Sequence, residues 1–140
     1  MTQREKAEWF IRHPAELGKA LGYTDFQPMH EEWIKKMVDG DEDYTLQAHR
    51  GSYKTTCLCV AMALMAIHHR DKNIIFLRKT DTDVTEVIKN VQRILISDVF
   101  QQIYKALTGF PLVILKATNT EIITSCYSAP RGAAQILGII

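Results

Sequence analysis

The sequence predicts an α/β fold in which helices connect the strands of a mostly parallel sheet. Three segments in order carry this prediction: a short strand pattern over 44–51, a helix over 55–69 that is apolar almost all round, and a continuous apolar run over 73–80. Buried parallel strands have such runs because helices cover both faces of the sheet. A strand, a buried helix, a second strand and a further helix favour parallel strands joined by right-handed crossovers.

Three helices are predicted in the N-terminal part of the chain, over 5–13, 14–22 and 26–40. Pro14 suits the first position of the second helix, where a missing N–H costs nothing. The third helix, in "FQPMHEEWIKKMVDG", has apolar side chains at every fourth position, and its closing glycine suits a C-terminal cap. Its predicted core face consists of Met29, Trp33 and Met37.

The second half of the chain continues with two helices and a hairpin. "DTDVTEVIKNVQRIL" (81–95) is predicted as an amphipathic helix that begins with a capping-box-like pattern, Asp83-x-x-Glu86. "DVFQQIYKALTG" (98–109) is predicted to continue as a helix. "PLVILKATNTEIITSCY" (111–127) contains two β-rich runs around a turn, which predicts a hairpin.

Composition and charge exclude some classes of protein. The net charge of +1 implies no overall attraction to DNA or to a membrane, although a local basic patch is compatible with it. The three cysteines lack zinc spacing, and their low, odd number fits a reducing compartment. The longest apolar run, over 57–67, is about half the roughly 20 residues that a membrane span needs. We therefore expect a cytoplasmic protein, and the apolar ending "QILGII" (135–140) leads us to expect the front part of a longer one.

The stretch "HRGSYKTT" (49–56) is similar to a phosphate-binding loop. Such a loop needs converging backbone N–H groups, a lysine for the β- and γ-phosphates, and a hydroxyl for Mg²⁺ at the start of a helix. Lys54 and Thr55 supply the lysine and the hydroxyl, but Ala48 and Tyr53 replace the two glycines of the pattern G-x-x-x-x-G-K-[ST]. A positive φ at Tyr53 would be strained. The alternative interpretation is a basic, solvated turn that precedes a helix.

Several motifs, taken in order, resemble the N-terminal ATPase region of the large terminase subunits of tailed bacteriophages, which are DNA-packaging motors. Arg50 lies four residues before Lys54, the spacing found in the deviant phosphate loop of that family. "FQPMHEEWI" (26–34) resembles the family's adenine-side motif, with His30 where glutamine is usual. Residues 74–88 are similar to the second strand of that family and the helix that follows it. Residues 124–139 are similar to the stretch that leads to its Walker B strand.

The resemblance covers about residues 25–140 and implies a P-loop NTPase fold of the RecA/ASCE-like kind. It implies an incomplete parallel-sheet core, with an N-terminal helical segment that holds the adenine-side motif (1–40) and the front part of the ATPase domain (41–140). ATP and Mg²⁺ would be the cofactors. Duplex DNA, a portal protein and a small terminase subunit would be the partners, in the host cytoplasm and without a membrane, and an oligomer is compatible with this assembly.

The resemblance also implies a role for individual residues. Lys54 would bind the β- and γ-phosphates, Thr55 would hold Mg²⁺, and Arg50 would be the catalytic residue that stabilises charge on the γ-phosphate. Phe26 and His30 would flank the adenine. Gly51, Ser52 and Tyr53 would bind the nucleotide through their backbone amides. Thr56 would be a further nucleotide-binding position.

The carboxylates that an ATPase needs are missing from the expected places. A Walker B strand ends in Asp followed by Glu, whereas "RILISD" (93–98) has a helical stripe and no following Glu. We therefore expect the chain to stop before its catalytic acids and to lack useful ATP hydrolysis on its own. Two alternatives stay open: a helicase-like P-loop translocase, and a non-catalytic prophage remnant that acts as an interaction module. Tyr53, His30 and the missing Walker B strand favour the non-catalytic interaction module.

Overall fold

The computed structural model of the protein describes residues 1–40, 45–48, 51–68, 73–128 and 132–140. The first four elements are α1 (Gln3–Arg12), α2 (Pro14–Ala20), α3 (Pro28–Asp39) and α4 (Lys54–His68). The next three are β1 (Ile74–Leu77), α5 (Asp81–Ile96) and α6 (Asp98–Thr108). The chain ends with the strands β2 (Ile114–Ala117), β3 (Glu121–Ser128) and β4 (Gly132–Ile139).

The strands form a small four-stranded sheet in the order β1-β4-β3-β2. β1 and β4 are parallel, with Ile74 opposite Ile136, whereas β4–β3 and β3–β2 are antiparallel. The predicted α/β class and the predicted hairpin are therefore confirmed, but the sheet is mixed. The expected predominance of parallel strands is wrong because β2, β3 and β4 are joined by short connections, which can link only antiparallel neighbours.

Local signals set most of the helix boundaries. Thr2 begins α1 with a capping box, since its hydroxyl accepts from the Glu5 N–H and the Glu5 carboxylate accepts from the Thr2 N–H. Pro14 opens α2 as predicted. α5 is capped by Thr80, whose hydroxyl accepts from the Asp83 N–H at 3.2 Å. The predicted capping-box start at Asp83 is therefore wrong by three residues, because a threonine is available one turn earlier.

Two predicted features of the first half differ from the structure. Residues 45–48 do not form a strand, and the remainder of that predicted strand, 44 and 49–50, lies outside the described residues. The segment contains one large apolar side chain, Leu46, which is too little to hold a strand in a core. α3 is present, but the buried side chains are His30 and Ile34, whereas Met29 is 47% exposed. Trp33 and Met37 do pack against the core, partly buried, so the core face is shifted by about one residue and only Met29 of the predicted side chains lies outside it.

One buried apolar cluster extends from Ala7 in α1 to Ile136 in β4. α4 is almost wholly buried, as predicted, and packs against α3, α5 and β1. α5 packs on β3 and β4. Its approach needs Gly138, because a Cβ there would lie 2.5 Å from Val84 Cγ1 and 2.7 Å from Phe76 Cζ. The loop that opens α4 is thus attached to the most deeply buried helix.

Candidate functional site: the loop before α4

The loop that precedes α4 has a left-handed backbone at two positions. The φ angles of Gly51 and Tyr53 are 84° and 68°, and Tyr53 is the only non-glycine residue in the described ranges with a positive φ. This conformation costs a residue with a side chain about 1–2 kcal/mol. The strain anticipated for Tyr53 is therefore present, at a position where the pattern has glycine, the residue that adopts this φ without strain.

The ring of Tyr53 packs into an aromatic cluster formed by α3 and by the segment that connects α2 to α3. Its centroid lies 5.4 Å from that of Phe26, 5.7 Å from that of His30 and 6.5 Å from that of Tyr23. Each aromatic pair contributes about 0.5–1.5 kcal/mol beyond the burial of its area. The packing of the ring therefore offsets the strain of the backbone.

His30 connects α3 to the loop through both of its ring nitrogens. Nδ1 accepts from the Gln27 N–H at 2.9 Å, so it carries no proton, and Nε2–H donates to the Ser52 carbonyl at 2.8 Å. The side chain is buried, with 4% of the residue exposed. His30 stands at the third position of α3, where it replaces the Glu or Gln of a capping box.

Phe26 lies beside His30, with ring centroids 5.7 Å apart, and it is also buried. Only 3% of the residue is exposed, and a Cβ on Gly18 would lie 2.6 Å from the ring atom Cε2. The ring therefore covers the backbone of α2. Phe26 and His30 do lie together beside the loop, and in this structure their contacts are with protein groups. Their contact with adenine stays a prediction.

Ser52 places an unpaired polar atom inside the loop. Its residue is 8% exposed, and Oγ is the only buried side-chain oxygen or nitrogen in the described part of the chain without a hydrogen-bond partner. An unsatisfied buried hydroxyl costs about 1–3 kcal/mol. Such groups in native proteins need an explanation, and a bound water or ion is a common one.

Lys54 lies at the first position of α4 and is exposed. Its Nζ donates to the Ala48 carbonyl at 3.2 Å, which joins the two ends of the loop. The first helical bond starts from the Cys57 N–H, which donates to the Tyr53 carbonyl at 2.8 Å. The N–H groups of the three preceding residues have no acceptor within the helix. The N-terminus of this 15-residue helix therefore favours an anion.

Mg²⁺ fits this loop only in part. Thr55 and Thr56 are half-buried in the first turn of α4 and offer hydroxyl groups. Within the described residues, no group of three or more His, Cys, Asp or Glu side chains could hold a metal ion. Mg²⁺ takes few protein ligands and several from substrate phosphates and water, so Thr55 would supply one ligand and the phosphates others. Arg50, the predicted catalytic residue, lies outside the described residues.

The cysteines beside the loop are buried. Burial raises the pKa of the Cys57 thiol from 9.0 to about 12. Burial also raises the pKa of the Cys59 thiol to about 11, although the nearby Arg78 and Arg93 lower it in part. Both thiols are protonated at neutral pH, so neither is a nucleophile for chemistry at the loop.

Two features were not predicted from the sequence: the hydrogen bond between Gln27 and His30, and a surface groove. Gln27 and His30 have capping-box spacing, and that spacing is the signal that could have predicted their bond. A groove of about 760 Å³ lies on other elements, between α1 and α6, with Phe10 and Ile103 among its apolar lining and Lys6 among its polar lining. No sequence pattern pointed to this groove.

No protein-family model, curated protein sequence or solved structure matches the chain. The resemblance to terminases therefore depends on the motifs in the sequence alone. Over the ranges that the structure describes, none of the helices combines the length and apolar character needed to cross a membrane.

Proposed function

We propose that the protein is the ATP-binding part of a terminase-like DNA-packaging motor, built on a P-loop NTPase core. The observation that carries the proposal is the left-handed backbone of Tyr53 directly before Lys54 at the start of α4. Glycine is the usual residue for such a conformation, and the pattern has glycine at this position.

Two further observations support an anion at the loop. The N–H groups of the first turn of α4 have no acceptor within the helix, and the exposed Lys54 stands at the first position of that helix. The unpaired hydroxyl of Ser52 is buried in the same loop. Lys54 would bind the β- and γ-phosphates, Thr55 would contact Mg²⁺, and the loop amides would complete the phosphate site. Phe26 and His30 would lie on the side of the base, and Arg50 would stabilise charge on the γ-phosphate.

In the full motor, cleavage of the γ-phosphate would drive duplex DNA through a portal protein, with a small terminase subunit as a further partner in the host cytoplasm. The described residues offer no carboxylate cluster that could hold a metal ion. We therefore expect this chain alone to bind Mg·ATP without hydrolysing it at a useful rate. A Lys54-dependent release of phosphate by the isolated chain would contradict that expectation.

The test is a calorimetric titration with Mg²⁺ and a non-hydrolysable ATP analogue. Charge-assisted hydrogen bonds contribute about 1.5–3 kcal/mol, so Lys54→Ala should weaken binding about 10- to 100-fold. Lys105→Ala removes an equal charge from α6 and serves as the matched control, with unchanged affinity expected. Equal binding by wild type and Lys54→Ala would overturn the proposal, as would a wild type that does not bind.

A second candidate is the non-catalytic interaction module. The burial of Phe26 and His30 favours it, because both side chains already use their contacts within the protein. A wild-type chain that folds stably but binds no nucleotide would support this candidate.

A further inference from the structure

We propose that His30 is a positioning residue for the loop, because it fixes the orientation of the peptide between Ser52 and Tyr53. The consequence for phosphate binding rests on the proposed function, whereas the effect on the peptide does not. The residue lies 22 positions before Ser52 and reaches it through a single hydrogen bond of 2.8 Å from Nε2 to the carbonyl oxygen.

Because the peptide between Ser52 and Tyr53 is planar, the hydrogen bond to its carbonyl also sets the direction of its N–H. In a trans peptide the C=O and the following N–H lie in one plane and point in opposite directions. Because the Ser52 carbonyl is directed at His30, the N–H of Tyr53 is directed away from His30 and α3. That N–H is one of the backbone donors assigned to phosphate. His30 thus sets the direction of a donor that it does not touch.

The hydrogen bond from His30 also opposes a rotation of this peptide that would relieve the backbone strain at Tyr53. A rotation of about 180° of this peptide would change ψ of Ser52 and φ of Tyr53 together. It would move Tyr53 from its φ of 68° to a negative φ, which residues with side chains prefer. The same rotation would turn the carbonyl, instead of the N–H, toward the phosphate side. The rotated peptide is therefore the conformation that competes with the observed one, and His30 stabilises the observed one, with the N–H in place.

The surroundings of His30 hold it in the orientation that this role needs. The Gln27 N–H fixes the tautomer by donating to Nδ1, which leaves the proton on the nitrogen that faces Ser52. The rings of Phe26 and Trp33 lie edge-on to the imidazole, with centroids 5.7 Å and 5.0 Å away. Packing thus restricts the ring while the two hydrogen bonds define its direction.

Two variants separate hydrogen bonding from packing. His30→Gln keeps an acceptor for the Gln27 N–H and a donor for the Ser52 carbonyl, whereas His30→Leu fills the space with neither. We expect His30→Leu to weaken binding of Mg²⁺ with inorganic tripolyphosphate, which has no base for His30 to contact, about tenfold, the effect of one hydrogen bond, and His30→Gln to restore that binding to within about threefold of wild type. Thermal unfolding checks that each variant is folded. If His30→Leu does not fold, His30→Glu replaces it, since a carboxylate accepts from Gln27 but cannot donate to Ser52.

A second measurement needs no ligand. The three-bond HN–Hα coupling of Tyr53, measured by NMR, reports its φ, and we expect it to change in His30→Leu and to be kept in His30→Gln. An unchanged coupling in a folded His30→Leu would overturn the proposal, even where the wild type binds no nucleotide. Equal weakening of binding by both variants would also overturn it, because packing alone would then account for the effect. Lys54-dependent binding that both variants keep would leave the proposed function standing and remove the role of His30.

Discussion

The ammonium of Lys54 donates to the carbonyl of Ala48 at 3.2 Å, and this bond joins the two ends of the loop before α4. Lys54 is exposed, so water competes for the same donor and the bond contributes little to folding. A phosphate group would compete for it more strongly, because its charge adds to the hydrogen bond. The Lys54 side chain can therefore leave Ala48 and bind a ligand with little loss of folding stability.

Lys54→Ala should accordingly leave the fold intact. We expect the free energy of unfolding to change by no more than about 0.5 kcal/mol, the usual range for an exposed position. Urea denaturation followed by circular dichroism measures this change. A loss of several kcal/mol would show that Lys54 has a structural role, and the binding defect of the variant would then say nothing about phosphate.

Because the backbone of Tyr53 is strained, we expect glycine to be a more stable substitution than alanine at this position. Both Tyr53→Gly and Tyr53→Ala lose the packing of the ring, but only glycine adopts a φ of 68° without strain. We expect Tyr53→Gly to be more stable than Tyr53→Ala by about 0.5–1 kcal/mol, after the entropy that glycine loses on folding. Phe10, a half-buried aromatic residue inside α1, is the control, and there alanine should be the more stable. If glycine and alanine ranked in the same order of stability at Tyr53 and at Phe10, the result would argue against a left-handed backbone at Tyr53.

The contact of Phe26 with Gly18 predicts a coupled pair of substitutions. Gly18→Ala places a methyl group within 2.6–2.9 Å of three ring atoms, so the ring must shift. Overpacking of this kind costs about 1–3 kcal/mol, although alanine recovers part of it as a better helix former. In a Phe26→Leu background the same change should cost less. A double-mutant cycle by chemical denaturation measures the coupling, and a coupling near zero would mean that the ring does not lie on α2.

The buried cysteines predict a loss of stability at high pH. The pKa of Cys57 is raised from 9.0 to about 12 in the folded state, so between these values the unfolded chain releases a proton that the folded chain keeps. Its contribution to stability is full below pH 9 and falls as the pH rises toward 12. Urea midpoints between pH 8 and pH 10.5 should therefore fall more steeply for wild type than for Cys57→Ala. Equal slopes would show that the thiol is accessible to water in the folded protein.

Much of the fold follows from local signals in the sequence. The buried helix α4, the striped helix α5 and the hairpin of β2 and β3 were predicted from apolar periodicity and turn residues, and the structure confirms them. The helical interpretation of 93–96, against a Walker B strand, is also confirmed, because these residues belong to α5. Periodicity sufficed here, since each element buries a face or stripe that is continuous in the sequence.

The features that the sequence did not predict depend on contacts between distant residues. The parallel pairing of β1 with β4 joins segments about 60 residues apart, and no local pattern specifies it. The inward face of α3 carries His30, whose bond to Ser52 compensates its burial, together with the apolar Ile34, while Met29 is exposed. Lys54 and Thr55 were predicted from a motif, whereas the support that His30 gives to the loop required the fold.

The most direct test of the central claim is an NMR titration of the backbone amides with Mg²⁺ and a non-hydrolysable ATP analogue. A phosphate site at this loop predicts that the largest shifts occur in the amides from Gly51 to Thr56, and that Lys54→Ala weakens the affinity that these shifts report about 10- to 100-fold. Shifts confined to the groove between α1 and α6, or no shifts at all, would contradict the assignment of the loop to phosphate.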